Sequence, residues 1–375
     1  MKTATQGKPA VTAGVKRVAR EPLGPCLLAS PPLHAPSPPN QKEQLMTVLI
    51  VAYDGYDADI NEVTEAIEAR GARAIRFDTD ALPSAMRLSL AYGGESGAAL
   101  ISGSGAIDLT TISAVWLRGL HEGRALPEMD ADHRRVCVEA AQVSLTGLLA
   151  ALDGLQLDPH ERVRRAEQKP LQLQVAQALG LPIPPTLISN DPDAVRAFAR
   201  SCPGEMITKM VVSQCFRTDE AGEIESVYTN PVTPEDLEDL SGLHLCPMIF
   251  QARVPKALEL RVTVVGGRVF TAAVDSQLAA GARVDWRRDQ GPLRGAWRPY
   301  ALPMEVEATL LRLLDHFGLN FGAIDLILTP GGQYVFLEVN PLGSFSWLEH
   351  GLWEGRFPIS GAVADLLLGR APRRV

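Results

Sequence analysis

Hydrophobic positions first become regular at Thr47. TVLIVA (47–52) is an unbroken apolar run that reads as a buried strand, and YDGYDAD after it is a polar turn. Ile60, Val63, Ala66 and Ile67 then recur at helical spacing. AIRFD, from Ala74, predicts a second short strand. LSLAYG, AALISG and AIDLTTISAVWLRGL follow as alternating or apolar runs bounded by glycines. Such a mixture predicts a small α/β domain of roughly 100 residues. At its end, Trp116 reads as a core aromatic. His133 to Leu152 predicts a long helix, and RRAEQKPLQLQVAQALG starts another, with Pro170 favoured in its first turn.

The second half changes rhythm. GLPIPPTLISND is a proline-stiffened link, and GEMITKMVV is a strand carrying Lys209 in its apolar centre. TPEDLEDL is a helix start with Thr233 as N-cap and acids in the first turn. MIFQA is a strand, LELRVTVVG alternates so that Glu259 and Arg261 share a face, and PMEVEATLLRLLDHFGL is an amphipathic helix. AIDLIL, the turn TPGGQ and YVFLEV form a hairpin, the glycines supplying positive φ. The pattern predicts an α/β (α+β) chain with an N-terminal α/β domain over 46–152 and further subdomains over 153–250 and 251–375.

The hairpin carries the chemistry. Positions i and i+2 of a strand face the same way, so Glu338 and Asn340 look together toward Asp325 on the facing strand. Two carboxylates and an amide oxygen make a hard, oxygen-only set suited to magnesium, which fills its remaining positions with water and phosphate. Solvated rim charges and ordinary Asn-Pro turn chemistry are the plainer alternative. Against it, both carboxylates sit in apolar runs, where an unpaired charge is costly. Lys169 stands at a helix start, where a lysine and free backbone N–H groups both attract phosphate. A lysine buried like Lys209 also needs an anionic partner.

Composition narrows the classes. A net charge of −8 argues against a general nucleic-acid binder. No apolar run is long enough to span a membrane. Cys26, Cys137, Cys202, Cys215 and Cys246 lack metal or redox spacing, which speaks for a reducing cytoplasmic setting. Residues 1–45, rich in Pro, Ala and Ser, are expected to be a disordered tail without a signal-peptide core. From Arg253 to Arg298 nine basic residues face four acidic ones, a local excess that points to anionic ligands.

The series Lys169, Lys209, FQARVPKALELRVTVVGG, AIDL and FLEVNPLG resembles the ATP-grasp superfamily, and within it the microviridin-type ribosomal-peptide maturases, or graspetide ligases. The resemblance runs from about Met46 to the C-terminus, and it lies in the order and spacing of the motifs. It implies an ATP-grasp fold, with ATP between two subdomains that follow the N-terminal domain. It places adenine at the end of MIFQA, with Phe250 on the ring and backbone groups of Gln251 and Ala252 at its edge. Lys169 and Lys209 would meet the phosphates and Glu259 would line the nucleotide site. Two magnesium ions would sit on Asp325, Glu338 and Asn340, and Arg261 at the γ-phosphate. The implied substrate is a ribosomal precursor peptide with a leader and an acidic core. Its Asp or Glu side chains would be activated as acyl phosphates and joined to Ser, Thr or Lys as macrocyclic esters or amides. Glu235, Asp236 and Asp239 would grip the leader, Arg287 and Arg288 are candidates for an acidic peptide, and a homodimer is implied. The chain departs from the family at Gly343-Ser344, where relatives carry Gly-Gln, and in the flap after Lys209, where only Gly222 remains. A ligase of a small amino acid or peptide, or a non-catalytic nucleotide-binding scaffold, are the alternatives.

Overall fold

Buried strands meet the helix pattern in three successive sheets. The computed structural model describes residues 45–375 apart from 54–56, 94–96, 103–104, 121–125, 213–215, 219–223, 294 and 351–356. Expectations for residues 1–44, Cys215 and Gly222 therefore lie outside the described residues.

The first sheet is parallel, in the order β2-β1-β6-β7: β1 Thr47–Ala52, β2 Arg73–Asp78, β6 Ala114–Leu117 and β7 Leu155–Leu157. Every residue of β1 is buried, as its unbroken apolar run demands. Helix α1 (Asp57–Glu68) covers it with Ile60, Val63 and Ile67, none more than 1 % exposed. Between β2 and β6, the strands β3 Arg87–Ala91, β4 Gly97–Ser102 and β5 Gly105–Asp108 form a separate antiparallel meander. The long helix α2 (Ala131–Ala151) buries only Leu145, Leu148 and Leu149. The expected boundary at 152 falls short of β7, because the open edge of β6 takes up Leu155–Leu157 before the chain leaves the sheet.

Helices α3 (His160–Ala166) and α4 (Lys169–Ala178) lead into the second sheet, antiparallel in the order β12-β9-β13-β8. Its strands are β8 Thr186–Ser189, β9 Met206–Met210, β12 Asn230–Pro231 and β13 Met248–Ala252. Helix α5 (Pro192–Ser201) packs on one face; β10 Phe216–Thr218 and β11 Ile224–Ser226 pair apart from it, and α6 (Pro234–Glu238) follows β12. The boundary expected at 250 falls inside β13, which belongs wholly to this sheet.

The third sheet is antiparallel in the order β16-β15-β14-β17-β18, with β14 Leu258–Val265, β15 Arg268–Val274, β16 Arg298–Pro299, β17 Phe321–Leu328 and β18 Tyr334–Asn340. Helix α7 (Met304–Phe317) sends Leu310, Leu313, Leu314 and Phe317 into the core and ends at Gly318 with φ 71°, a left-handed cap that glycine adopts freely. The short α8 (Ser346–Glu349) and α9 (Ile359–Leu367) return the chain to α1, where Arg70 donates to Asp365 at 2.6 Å.

Candidate active site

Three neighbouring strands set the row of charges. Arg261 on β14 is in register with Asp325 on β17, and Asp325 with Glu338 on β18; Ala323 is in register with Asn340. Directly opposed residues share a face, so the side chains converge. A break in register between Asp325 and Leu326 kinks the ladder beside them, as bulges next to binding sites do. Asn340 Nδ2 donates to Asp325 Oδ2 at 3.0 Å and to Glu338 Oε1 at 3.3 Å, bridging the two carboxylates. Among the described residues no three His, Cys, Asp or Glu side chains group as a metal site. The hairpin offers two carboxylates and an amide oxygen instead, a hard donor set that fits magnesium.

Lysines reach this row from two other elements. Lys169, at the first turn of α4 and only 6 % exposed, donates to Glu338 Oε2, and Lys209 Nζ on β9 stands 3.9 Å from the same oxygen. Burial works against the Glu338 charge, but Lys169, Lys209 and Arg287 outweigh it and hold the carboxyl well below its ordinary range. Asp325 moves the other way: burial pushes it up, Arg261 opposes, and the Glu338 charge adds to the rise. Burial also lowers Lys209, against the pull of Glu338. The two carboxyls of the hairpin are thus shifted in opposite directions by their neighbours. Gln172, one helical turn after Lys169, is a residue the sequence reading passed over. Its amide donates to Val339 O at 2.9 Å and accepts from Val339 N at 3.0 Å, fixing the backbone between Glu338 and Asn340. A glutamine one helical turn after the candidate phosphate lysine was the available signal.

Arg261 Nη1 donates to both oxygens of Asp325 at 3.1 Å, and Nη2 to Ser344 O at 3.1 Å. Its buried Nε has no partner among the described residues. The loop that supplies Ser344 O is held by Asp59 of α1, whose Oδ1 accepts from Ser344 Oγ at 3.0 Å, Phe345 N at 3.2 Å and Ser346 N at 2.8 Å. Asp59 Oδ2 pairs with Arg118 at 2.6 Å.

The first domain matches the family model described as MvdD pre-ATP grasp domain over residues 47–164. The macrocyclase MdnC from Microcystis aeruginosa MRC, solved bound with precursor peptide MdnA, is 44% identical over 86% of this chain and 100% of its own, with TM-score 0.77. The chain belongs to the ATP-grasp macrocyclases. The RiPP-associated ATP-grasp ligase of Chryseobacterium gregarium, in complex with ADP and a leader and core peptide, is 34% identical over 88% of this chain and 98% of its own, with TM-score 0.80. The macrocyclase MdnB, also from Microcystis aeruginosa MRC, is 38% identical over 86% of this chain and 99% of its own, with TM-score 0.73. No curated protein matches the chain.

In this ATP-grasp macrocyclase the residues expected around adenine divide between the two faces of β13. Phe250, expected on the adenine ring, packs with Val195, Met206 and Leu243 beneath α5. Lys209 is in register with Ile249, so strand alternation gives Ile249 and Gln251 the lysine face and turns Phe250 away. Ala252 stands on the Phe250 face, its N–H donated to Pro185 O at 3.0 Å; the Gln251 amide donates to Thr186 Oγ1 at 2.9 Å. Glu259 is buried and accepts from Lys256 at 2.8 Å, and burial raises its carboxyl against that lysine.

The loop residue Arg287 lies close enough for its charge to act on Glu338, Asp325 and Lys209, while donating to Asp285 at 2.8 and 2.6 Å. Arg288 turns to Thr229 O at 3.1 Å and to Asn230. On α6, Asp236 closes a capping box with Thr233 and Asp239 accepts from Ser241 N at 3.0 Å, while Glu235 stays exposed. No helix among the described residues is long and apolar enough to cross a membrane.

Proposed function

We propose that this chain is an ATP- and magnesium-dependent carboxylate ligase that closes ester or amide macrocycles in a ribosomal precursor peptide. The observation that carries the reading is the single cluster formed by Lys169, Lys209, Arg261, Asp325, Glu338 and Asn340, drawn from α4 and strands of two sheets. Lys169 and Lys209 bind the phosphates, and Arg261 offers its Nε, unpaired among the described residues, to a γ-phosphoryl oxygen as charge develops there. Asp325, Glu338 and Asn340 would hold magnesium, which neutralises phosphate charge when bound. An Asp or Glu carboxylate of the peptide attacks the γ-phosphorus, giving an acyl phosphate and ADP. A Ser or Thr hydroxyl or a Lys amine then attacks the acyl carbon and expels phosphate, so each ring removes one water. Catalysis is positioning and charge stabilisation, with no enzyme nucleophile.

Of Glu235, Asp236 and Asp239, Glu235 is the one whose side chain neither caps the helix nor closes a turn and so is left for a leader peptide, and Arg287 and Arg288 suit an acidic core. A cytosolic enzyme working as a pair of chains belongs to the same proposal; exposed Val136 and Val143 on α2 give such pairing an apolar face. Incubation with ATP, magnesium and a precursor peptide tests the reading by mass spectrometry. Loss of one water per ring with matching ADP release is expected. ADP release with a free amino acid in place of the peptide would favour a small-molecule ligase.

A further inference from the structure

Asp59 and Arg118 form an ion pair in the N-terminal domain, 1 % and 0 % exposed, outside the cluster of phosphate- and metal-binding side chains. Burying two charges is costly, and an apolar pair of similar volume would hold the same surfaces together at least as well. The pair therefore calls for a role besides cohesion. One oxygen of Asp59 accepts three hydrogen bonds from consecutive residues of the loop after Asn340, and Arg118 Nη2 lies 3.4 Å from Gly343 O in the same loop. The rings of Trp116, Phe321 and Phe345 stand 5.1, 5.6 and 5.9 Å from the Arg118 guanidinium carbon. Between those anchored residues, Ser344 O receives Arg261 Nη2. There is no slack on the far side either. A Cβ on Gly343 would come within 2.7 Å of Arg261 Nη2 and 2.5 Å of Ala323 Cβ.

We propose that the Asp59–Arg118 pair is a positioning element for Arg261, acting through the Gly343–Ser346 loop. The first domain thereby contributes to phosphoryl transfer without touching ATP. Fixing Nη2 on Ser344 O, with Nη1 on Asp325, sets the plane of the guanidinium and leaves Nε for a phosphoryl oxygen. Loosening the loop would let the group rotate, and small displacements of a catalytic group cost large factors in rate. This inference rests on the ligase reading above.

The test is a double-mutant cycle between Asp59→Asn and Arg261→Lys, read as kcat and KM for ATP in the peptide-dependent release of ADP. Asp59→Asn is expected to lower kcat on the order of 10- to 100-fold with KM for ATP little changed. In the Arg261→Lys background the same change is expected to cost far less, because the group it positions is gone. Equal fractional losses in both backgrounds, or an unchanged kcat, would overturn the proposal. If Asp59→Asn does not fold, Ser344→Ala decides. It removes one hydroxyl donor and leaves the ion pair intact; a kcat loss of about threefold supports the proposal and no loss overturns it. A wild-type chain that releases no ADP with precursor peptide would overturn the ligase reading and this inference with it. Wild-type turnover with an unaffected Asp59→Asn variant would overturn the inference alone.

Discussion

Lys169 Nζ donates to Glu338 Oε2, tying the first turn of α4 to the end of β18 across 169 residues of sequence. The contact holds in the free protein what a nucleotide would later share. Lys169→Met removes that donor and leaves Lys209 and Arg287 as the cations acting on Glu338. Apparent ATP affinity is expected to fall about tenfold or more, since charge-assisted bonds to phosphate are among the stronger polar contacts. Titration calorimetry with ATP and magnesium measures it, and unchanged affinity would remove Lys169 from the phosphate site.

Arg261→Ala should lower kcat for ADP formation on the order of 1000-fold, by loss of a donor aimed at developing charge. Circular dichroism should show the fold retained. Retained turnover would reject the assigned role.

Glu338→Gln combined with Asn340→Ala takes away one of the two carboxylate charges and the amide oxygen proposed for magnesium. Nucleotide affinity, which should rise with magnesium in the wild type, is expected to become insensitive to it in the variant. A variant whose affinity still tracks magnesium would place the metal elsewhere.

Glu62 on α1 faces Glu349 of α8 and His350, with Asp59 and Glu65 nearby on its own helix. Burial and these neighbouring acids push its carboxyl up to about 8. The native state then holds a proton that the unfolded chain has already lost, so stability should decline as pH rises from about 4.5 toward 8. Glu62→Gln removes that loss. Its melting temperature should exceed that of the wild type at pH 8 and respond less to pH. A wild-type melting temperature flat between pH 5 and pH 8, by scanning calorimetry, would contradict the assignment.

Periodicity of two and a glycine turn were enough to bring Asp325, Glu338 and Asn340 together from the sequence, because all three lie within one hairpin. A polar residue in an apolar run served equally well for Lys209. Which side of β13 meets Lys209 was not legible in MIFQA alone, because the pairing with β9 decides whether Ile249 or Phe250 stands opposite that lysine. Arg118 showed only as the end of a strand that could face a cleft, and Asp59 gave no signal. Their partners in the Gly343–Ser346 loop lie 225 to 287 residues away, and one of three aspartates in YDGYDAD looks like any helix start.

At rest, the carboxylates of the hairpin and the cations around them satisfy one another. A divalent ion arriving alone would have to displace ammonium and guanidinium groups left with nowhere to go. A triphosphate arriving alone would strand the carboxylates. Only the two together give carboxylates and cations alike a new partner, so the idle protein should ignore each by itself and respond to the magnesium–nucleotide complex.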